Sequence, residues 1–125
     1  MSQASMQQVI ITEPGDVDKL AYETVAIPSP KEDEVLVKVH AFGINRPDIL
    51  QRQGLYPMPK GVTTIPGLEV AGDVFAVGEN VTQFKVGDKV CGLTNGGGYA
   101  EYCVVPESQT LNIPENVSYV QAAAI

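Results

Sequence analysis

The sequence predicts a mainly β protein, a compact antiparallel sandwich or barrel that contains only short helices. Three observations support this fold class: short runs rich in β-branched residues recur along the chain, nine prolines and twelve glycines separate them, and only two segments have helical character. Turn signals such as Pro14-Gly15 and Gly87-Asp88 stand between the runs. The predicted strands cover residues 9–12, 20–27, 34–41, 69–77, 89–93 and 99–105.

The third predicted strand has the clearest alternation. Val35, Val37 and Val39 alternate with Leu36, Lys38 and His40, so one face is expected to be buried and the other mostly solvated. His40, the single histidine, falls on the solvated face. We therefore expect a surface histidine rather than a metal ligand or an acid-base group.

Two segments predict helices. Residues 45–53, with the sequence NRPDILQRQ, have a polar start, a proline near the first turn and Gly54 where a helix ends. At Ser118, a capping box with Gln121 precedes the helix-forming residues 122–124. A helix of about two turns is marginal alone. We therefore expect residues 1–125 to be one domain, cut before the next domain of a longer protein.

Composition excludes several classes of partner. Eight basic and fifteen acidic residues give a formal net charge of -7, which disfavours binding to nucleic acid or to an anionic membrane. The sequence also has neither a membrane-spanning apolar run nor a signal peptide, so we expect a cytoplasmic protein. The two cysteines, Cys91 and Cys103, are expected to be free buried thiols.

Familiar catalytic motifs are absent from the sequence. The cysteines and the histidine have no zinc-binding spacing, and no base accompanies a Ser or Cys nucleophile. Gly96-Gly97-Gly98 leads into a predicted strand rather than a helix, so we interpret it as a flexible hairpin loop and not as a phosphate cradle. The dinucleotide fingerprint G-x-G-x-x-G does not occur.

One loop is dense in hydrogen-bonding side chains. Within GINRPDILQRQGLY, residues 43–56, Asn45 offers an amide, Asp48 a carboxylate, Arg52 a bidentate donor and Tyr56 a phenol. Composition alone is compatible with an ordinary surface helix as well as with a binding site.

Four separated motifs resemble the medium-chain dehydrogenase/reductase superfamily, whose N-terminal domain is a GroES-like, partly open β-barrel. They are PGLEVAGDVFAVGENVTQFKVGDKVCGL, NRPDILQRQGLYPMPKG, GGGYAEY and IPENVSYVQAAAI, and the resemblance extends from about residue 6 to residue 125. They are most similar to the zeta-crystallin-like quinone oxidoreductase branch, and within it to the tumour-suppressor-inducible subgroup.

The resemblance implies that zinc is not used. In zinc-dependent members, a cysteine and a histidine that bind catalytic zinc occupy the positions of Asn45 and Leu68, and neither residue here is expected to ligate the metal. The four-cysteine lobe for structural zinc is also missing. Glu69 is interpreted as a hydrogen-bonded or ion-paired residue that holds the loop, in preference to a direct catalytic role.

The resemblance further implies an NADPH-dependent reductase of quinones or enones. Asn45 and Tyr56 are then the candidate catalytic residues, Asn45 and Asp48 the candidate cofactor contacts, and Tyr56, Leu68 and Arg52 the candidate substrate contacts. Asp48 and Arg52 are equally compatible with an i,i+4 pair on an exposed helix face. Leu50 stands where some members carry a further tyrosine, which leaves substrate preference open.

The cofactor is expected to bind mainly to a second, Rossmann-type domain, so the 125 residues alone are expected to be inactive. A homodimer of the full-length protein is expected to form through that other domain. The alternative is a stand-alone GroES-like β-barrel that serves as a binding or assembly module.

Overall fold

The computed structural model describes residues 4–56 and 61–124, and it is mainly β, as predicted. Its helices are α1 (Arg46–Arg52) and α2 (Tyr119–Ala122), with single 3-10 turns at Val17–Lys19 and Glu107–Gln109. Its strands are β1 (Ser5–Ile11), β2 (Leu20–Ala26), β3 (Glu34–Phe42), β4 (Glu69–Val77), β5 (Lys89–Leu93), β6 (Tyr102–Pro106) and β7 (Thr110–Asn112).

The strands form two antiparallel sheets. One is the β1–β2 hairpin, and the other has five strands in the order β6-β3-β4-β5-β7. The free edge of β1 meets the segment before β6, where Val9 N donates to the Tyr99 carbonyl over 2.8 Å and Gln8 pairs with Ala100. This contact joins the hairpin to the larger sheet and produces a partly open barrel.

The core lies on one face of the larger sheet. Its buried residues come from alternate positions of β3, β4, β5 and β6, together with Phe84. They are Val35, Val37, Val70, Val74, Phe84, Val90, Cys103 and Val105. Because every second residue of a strand points to the same face, the alternation seen in the sequence places these side chains together.

A second, smaller cluster lies around α2. Ala122 and Ala123 pack against Ala71 of β4 and Cys91 of β5, all of them buried. Ser118 caps this helix through the predicted capping box, with Gln121 N donating to Ser118 Oγ over 3.1 Å. The predicted helix and the expectation of two free, buried cysteines are both confirmed.

His40 lies at an irregularity of β3 rather than in simple alternation. Val39 pairs with Gly72 and Ala41 with Ala71, so His40 is the extra residue of a bulge. Its side chain is partly exposed, as expected, and its Nε2 lies 2.9 Å from Asp73 Oδ2. The imidazole stacks on Tyr119 with ring centroids 4.1 Å apart, and the Tyr119 hydroxyl donates to Asp73 Oδ1 over 2.5 Å.

The interpretation of Gly96-Gly97-Gly98 as a hairpin loop is wrong. The flanking strands β5 and β6 are not neighbours, because β5 pairs with β4 and β7 while β6 pairs with β3. The glycine segment instead packs against residues 65–67, with Gly97 N donating to the Ile65 carbonyl over 2.8 Å and Tyr99 N to the Pro66 carbonyl over 3.0 Å. Tyr99 therefore precedes β6 and does not begin it.

Strand ends differ from prediction where pairing overrides local sequence. β1 begins at Ser5 instead of residue 9, because the register pairs Ser5 with Ala26 and carries the polar Gln7 and Gln8 into the hairpin. β7 was not predicted, since its three residues are held by β5. Among the described residues, no helix is long and apolar enough to cross a membrane.

Candidate functional site

The predicted helix α1 starts at a contact between two half-buried side chains. Asn45 caps α1 with extended backbone, and its Nδ2 donates to Glu69 Oε1 over 3.0 Å. Glu69 is the first residue of β4. The structure therefore joins the start of α1 to the loop that contains Leu68, and the expectation that Glu69 holds this loop through a hydrogen bond is confirmed.

Asp48 supports Asn45 from inside the protein. Asp48 is 4% exposed, and its Oδ2 accepts from Asn45 N over 3.0 Å and from the Tyr99 hydroxyl over 2.8 Å. The other carboxylate oxygen, Oδ1, is buried without a hydrogen-bond partner among the described residues. This carboxylate fixes the backbone that carries Asn45.

Tyr99 is a site residue that sequence reasoning placed in a strand. It is 9% exposed, and its ring stacks on Phe42 with centroids 4.5 Å apart. Burial, together with the hydrogen bond to Asp48, raises the pKa of the Tyr99 hydroxyl well above its ordinary value of 10.0. The hydroxyl is thus held as a donor. The GGGYAEY motif was visible in the sequence, but its contact with α1 was not.

Two glycines allow the site to close. A Cβ at Gly43 would lie 2.0 Å from Glu69 Oε1, so only glycine leaves room for this carboxylate. Gly67 has φ +109 and its added Cβ would lie 2.7 Å from the Gly98 Cα. The backbone at Gly67 therefore packs directly against the backbone at Gly98, beside the loop that precedes Glu69.

Arg52 does not pair with Asp48. Its Nε donates to the Gly15 carbonyl over 3.0 Å, and among the described residues no ion pair joins it to Asp48. The alternative of an exposed i,i+4 pair is wrong, because Asp48 points inward to Tyr99. Arg52 and Asp48 both line a cavity of about 250 Å³ behind α1.

Tyr56 lies beyond the other end of α1 from Asn45. It is 40% exposed, and α1 occupies seven residues, which corresponds to about 10 Å of helix. Among the described residues, Tyr56 and Asn45 form no hydrogen bond with each other. The two predicted catalytic residues therefore belong to one helix-loop segment without contacting each other.

Leu68 is half-buried, and its carbonyl accepts from Thr94 N over 2.9 Å. Next to it, Glu69 borders an apolar cavity of about 350 Å³ between β4, β5, β7 and α2, which Cys91, Leu93 and Leu111 also line. Burial, followed by the charge of Glu69, raises the pKa of the Cys91 thiol.

Over residues 4–56 and 61–124, no three His, Cys, Asp or Glu side chains group as a metal site.

Residues 31–115 match the alcohol dehydrogenase GroES-like domain family. The chain belongs to this family. The GroES-like, partly open barrel expected from the resemblance is therefore confirmed, both by the family match and by the architecture of the two sheets.

Curated and solved relatives share this GroES-like domain. The chain is 47% identical over 102 residues to a quinone oxidoreductase of Sus scrofa, a match that covers 81% of the chain and 31% of the relative. It is similar to the crystal structure of the human synaptic vesicle membrane protein VAT-1 homolog-like protein, with TM-score 0.89 and 32% identity over 97% of this chain and 38% of that one.

A third similar structure was solved with a cofactor. It is the Escherichia coli quinone oxidoreductase complexed with NADPH, with TM-score 0.86 and 30% identity over 94% of this chain and 36% of that one. The resemblance to quinone oxidoreductases is thus confirmed, and the finer assignment to one subgroup stays a prediction. The chain spans about a third of the length of these relatives.

Proposed function

We propose that this GroES-like domain supplies the substrate side of an NADPH-dependent, zinc-independent quinone or enone oxidoreductase. The similarity to quinone oxidoreductases, one of them solved with NADPH, supports the reaction class. The hydrogen-bonded contact between Asn45 and Glu69 supports the location of the site. A cytoplasmic location and a homodimeric full-length protein stay predictions from the sequence.

The observation that carries the proposal is the identity of the side chains at this contact. Asn45 and Leu68 stand where zinc-dependent members of the superfamily carry metal ligands, and the Asn45–Glu69 hydrogen bond brings these two positions of the fold together. An amide and an aliphatic side chain are poor zinc ligands. Without a Lewis acid, charge that develops on a substrate oxygen requires hydrogen-bond donors that are already in place.

The residues present fit the nicotinamide end of the cofactor and not its phosphates. After its bond to Glu69, Asn45 retains the amide oxygen and one N–H for a carboxamide group. Asp48 acts through the Asn45 backbone, because it is buried. A pyrophosphate cradle is missing from the sequence, since no G-x-G-x-x-G occurs. When bound, reduced nicotinamide supplies a hydride to an electron-poor carbonyl system.

Tyr56 is the proposed donor to the substrate oxygen. Its phenol is accessible, and a neutral phenol both donates a hydrogen bond and positions water. Leu68 and Arg52 are proposed substrate contacts, Leu68 as an apolar wall and Arg52 through the guanidinium N–H groups that Gly15 does not take. We expect the reduced oxygen to receive its proton at this end of α1.

The test uses the longest protein that carries this sequence, with NADPH and a benzoquinone. We expect oxidation of NADPH above the uncatalysed rate, a fall of about tenfold or more for Asn45→Ala, and a smaller fall for Tyr56→Phe. Tyr22→Phe, which alters an exposed tyrosine of β2, serves as the matched control. No turnover with any activated carbonyl acceptor would overturn the proposal in favour of a binding module.

The zinc content of the purified protein and the turnover of the 125-residue chain alone are two further measurements. We expect no stoichiometric zinc in the purified protein, and tight binding of one zinc per chain would contradict the roles given to Asn45 and Leu68. The 125-residue chain alone is expected to show no turnover, because the contacts to the phosphates are absent from it.

A further inference from the structure

We propose that Glu69 has two roles toward the cofactor: it fixes the Asn45 amide, and it places a negative charge that favours the oxidised, cationic nicotinamide. This inference rests on the proposed function and adds a positioning residue that acts through both contact and charge. It separates into two parts that can be measured independently.

The first part follows from hydrogen-bond geometry. Glu69 Oε1 accepts from Asn45 Nδ2 over 3.0 Å, and a carboxylate offers only acceptors. The reversed Asn45 amide would set its oxygen against this carboxylate oxygen, so Glu69 allows one orientation only. The amide oxygen of Asn45 is thereby directed away from Glu69 and toward the open side of the loop.

The surrounding backbone holds Glu69 in place. Gly43 N donates to the Glu69 carbonyl over 3.2 Å, and an added Cβ at Gly43 would overlap the carboxylate. Glu69 also begins β4, where its backbone pairs with Leu93. Both the main chain and the side chain of this residue are therefore fixed before any cofactor binds.

The second part follows from charge. Over residues 4–56 and 61–124, no Lys, Arg or His lies within ion-pair distance of the Glu69 carboxylate, whose recorded partner is the neutral amide of Asn45. The side chain is half-buried, and a charge acts more strongly there than in bulk water. A negative charge that has no cationic partner among the described residues stabilises a positive charge formed next to it.

Hydride transfer forms such a positive charge. One C–H bond of the neutral reduced nicotinamide breaks, its two electrons and its hydrogen go to the quinone, and a proton from solvent completes the hydroquinone. The nicotinamide ring is left cationic. Glu69 therefore stabilises the oxidised cofactor electrostatically. In zinc-dependent members of the superfamily, by contrast, the metal stabilises charge on the substrate oxygen.

The charge part is tested by equilibrium binding to the longest protein that carries this sequence. Glu69→Gln keeps a hydrogen-bond acceptor and removes the charge. We expect it to weaken NADP⁺ binding about tenfold relative to NADPH binding, which corresponds to about 1.4 kcal/mol. An unchanged ratio of the two dissociation constants would overturn the charge role.

Glu79→Gln is the matched control. It makes the same change in charge beyond the opposite end of β4, on the order of 25 Å from Glu69 along the strand. We expect less than a twofold change in the ratio, because exposed charges at this distance are screened. An equal effect of both variants would assign the change to net charge and would overturn a local role for Glu69.

The orientation part is tested by NMR on the 125-residue chain, without cofactor or turnover. We expect the Asn45 side-chain amide signals to be kept in Glu69→Gln and displaced toward free-amide values in Glu69→Leu. Unchanged signals in Glu69→Leu would overturn this part.

The two readouts distinguish the inference from the proposed function. Failure of the full protein to bind either nucleotide would sink both. Normal binding and turnover, with neither an altered NADP⁺ to NADPH ratio nor an altered amide, would sink this inference alone.

Discussion

The Tyr99 hydroxyl donates to Asp48 Oδ2 over 2.8 Å, although the two residues lie 51 positions apart in the sequence. This bond ties the segment before β6 to the first turn of α1. Asp48 in turn holds the backbone N–H of Asn45. The orientation of the candidate site thus depends on a tyrosine that does not belong to the helix-loop segment carrying the predicted catalytic residues.

Tyr99→Phe should destabilise the domain by about 1–3 kcal/mol, because it removes a donor from the buried Asp48 carboxylate, whose other oxygen has no partner within the part of the chain that the structure describes. The stack on Phe42 is kept, so packing changes little. Urea unfolding measures the difference. Tyr22→Phe, at an exposed position, should change stability by less than about 0.5 kcal/mol. Equal stabilities of Tyr99→Phe and the parent chain would contradict a structural role for this bond.

Gly43→Ala should cost about 1–3 kcal/mol, because the new methyl group collides with the Glu69 carboxylate at 2.0 Å. Thermal or urea unfolding checks the loss, and the Asn45 amide signals should move with it. Gly15→Ala is the control, since the three atoms nearest to a Cβ there all belong to the flexible side chain of Lys19. A neutral effect at Gly43 would mean that Glu69 moves aside freely.

Asp73→Asn should lower stability more at neutral pH than in acid. Burial works to raise the pKa of Asp73, but hydrogen bonds from Tyr119 and His40 and the nearby positive charges outweigh it, so the pKa lies below its ordinary value of 3.8. A lowered pKa in the folded state gives stability above about pH 3.8 that is lost as the pH falls through the folded value.

The measurement compares urea midpoints of Asp73→Asn and the parent chain at pH 7 and pH 3. The gap between them should shrink in acid. Asp33→Asn, at an exposed site, is the control. A gap of the same size at both pH values would argue against a charged contact among Asp73, His40 and Tyr119.

Alkaline pH should weaken the domain through Tyr119. The hydrogen bond to Asp73, with burial, raises the pKa of Tyr119 from 10.0 to about 12. The unfolded chain therefore loses this proton first, and stability should fall as the pH rises from 10 toward 12. Unfolding midpoints across this range test the fall. Tyr119→Phe should reduce the fall without abolishing it, because the pKa of Tyr99 is raised as well, whereas a Tyr22→Phe chain should retain it in full.

Local signals predicted the helices well. Asn45 at the start and Gly54 after the end define α1, and the capping box of Ser118 with Gln121 defines α2. The residues that make these signals lie within a few positions of each other, so the interaction between them can be predicted without knowledge of the fold. The buried face of β3 was predicted for the same reason, but Leu36, on the face expected to be mostly solvated, is buried as well.

Long-range contacts explain what the sequence did not reveal. Asn45 meets Glu69 across 24 positions, and Tyr99 meets Asp48 across 51. Neither contact can be predicted from hydrophobic periodicity or from a helix-capping signal. The bulge at His40 depends on pairing with β4, and the path of Gly96-Gly97-Gly98 depends on strand order. The resemblance to a family identified the residue positions, while only the fold assigned their partners.

The position of β3 inside the larger sheet has a consequence for synthesis on the ribosome. One edge of β3 pairs with β4, and the other edge stays unpaired until β6, which ends at Pro106, has been synthesised. At ~5–20 residues per second, the interval between completing β3 and completing β6 is on the order of several seconds. During this interval an apolar strand edge is open to other chains. Expression yield should therefore respond to translation speed and to chaperones that cover nascent strands.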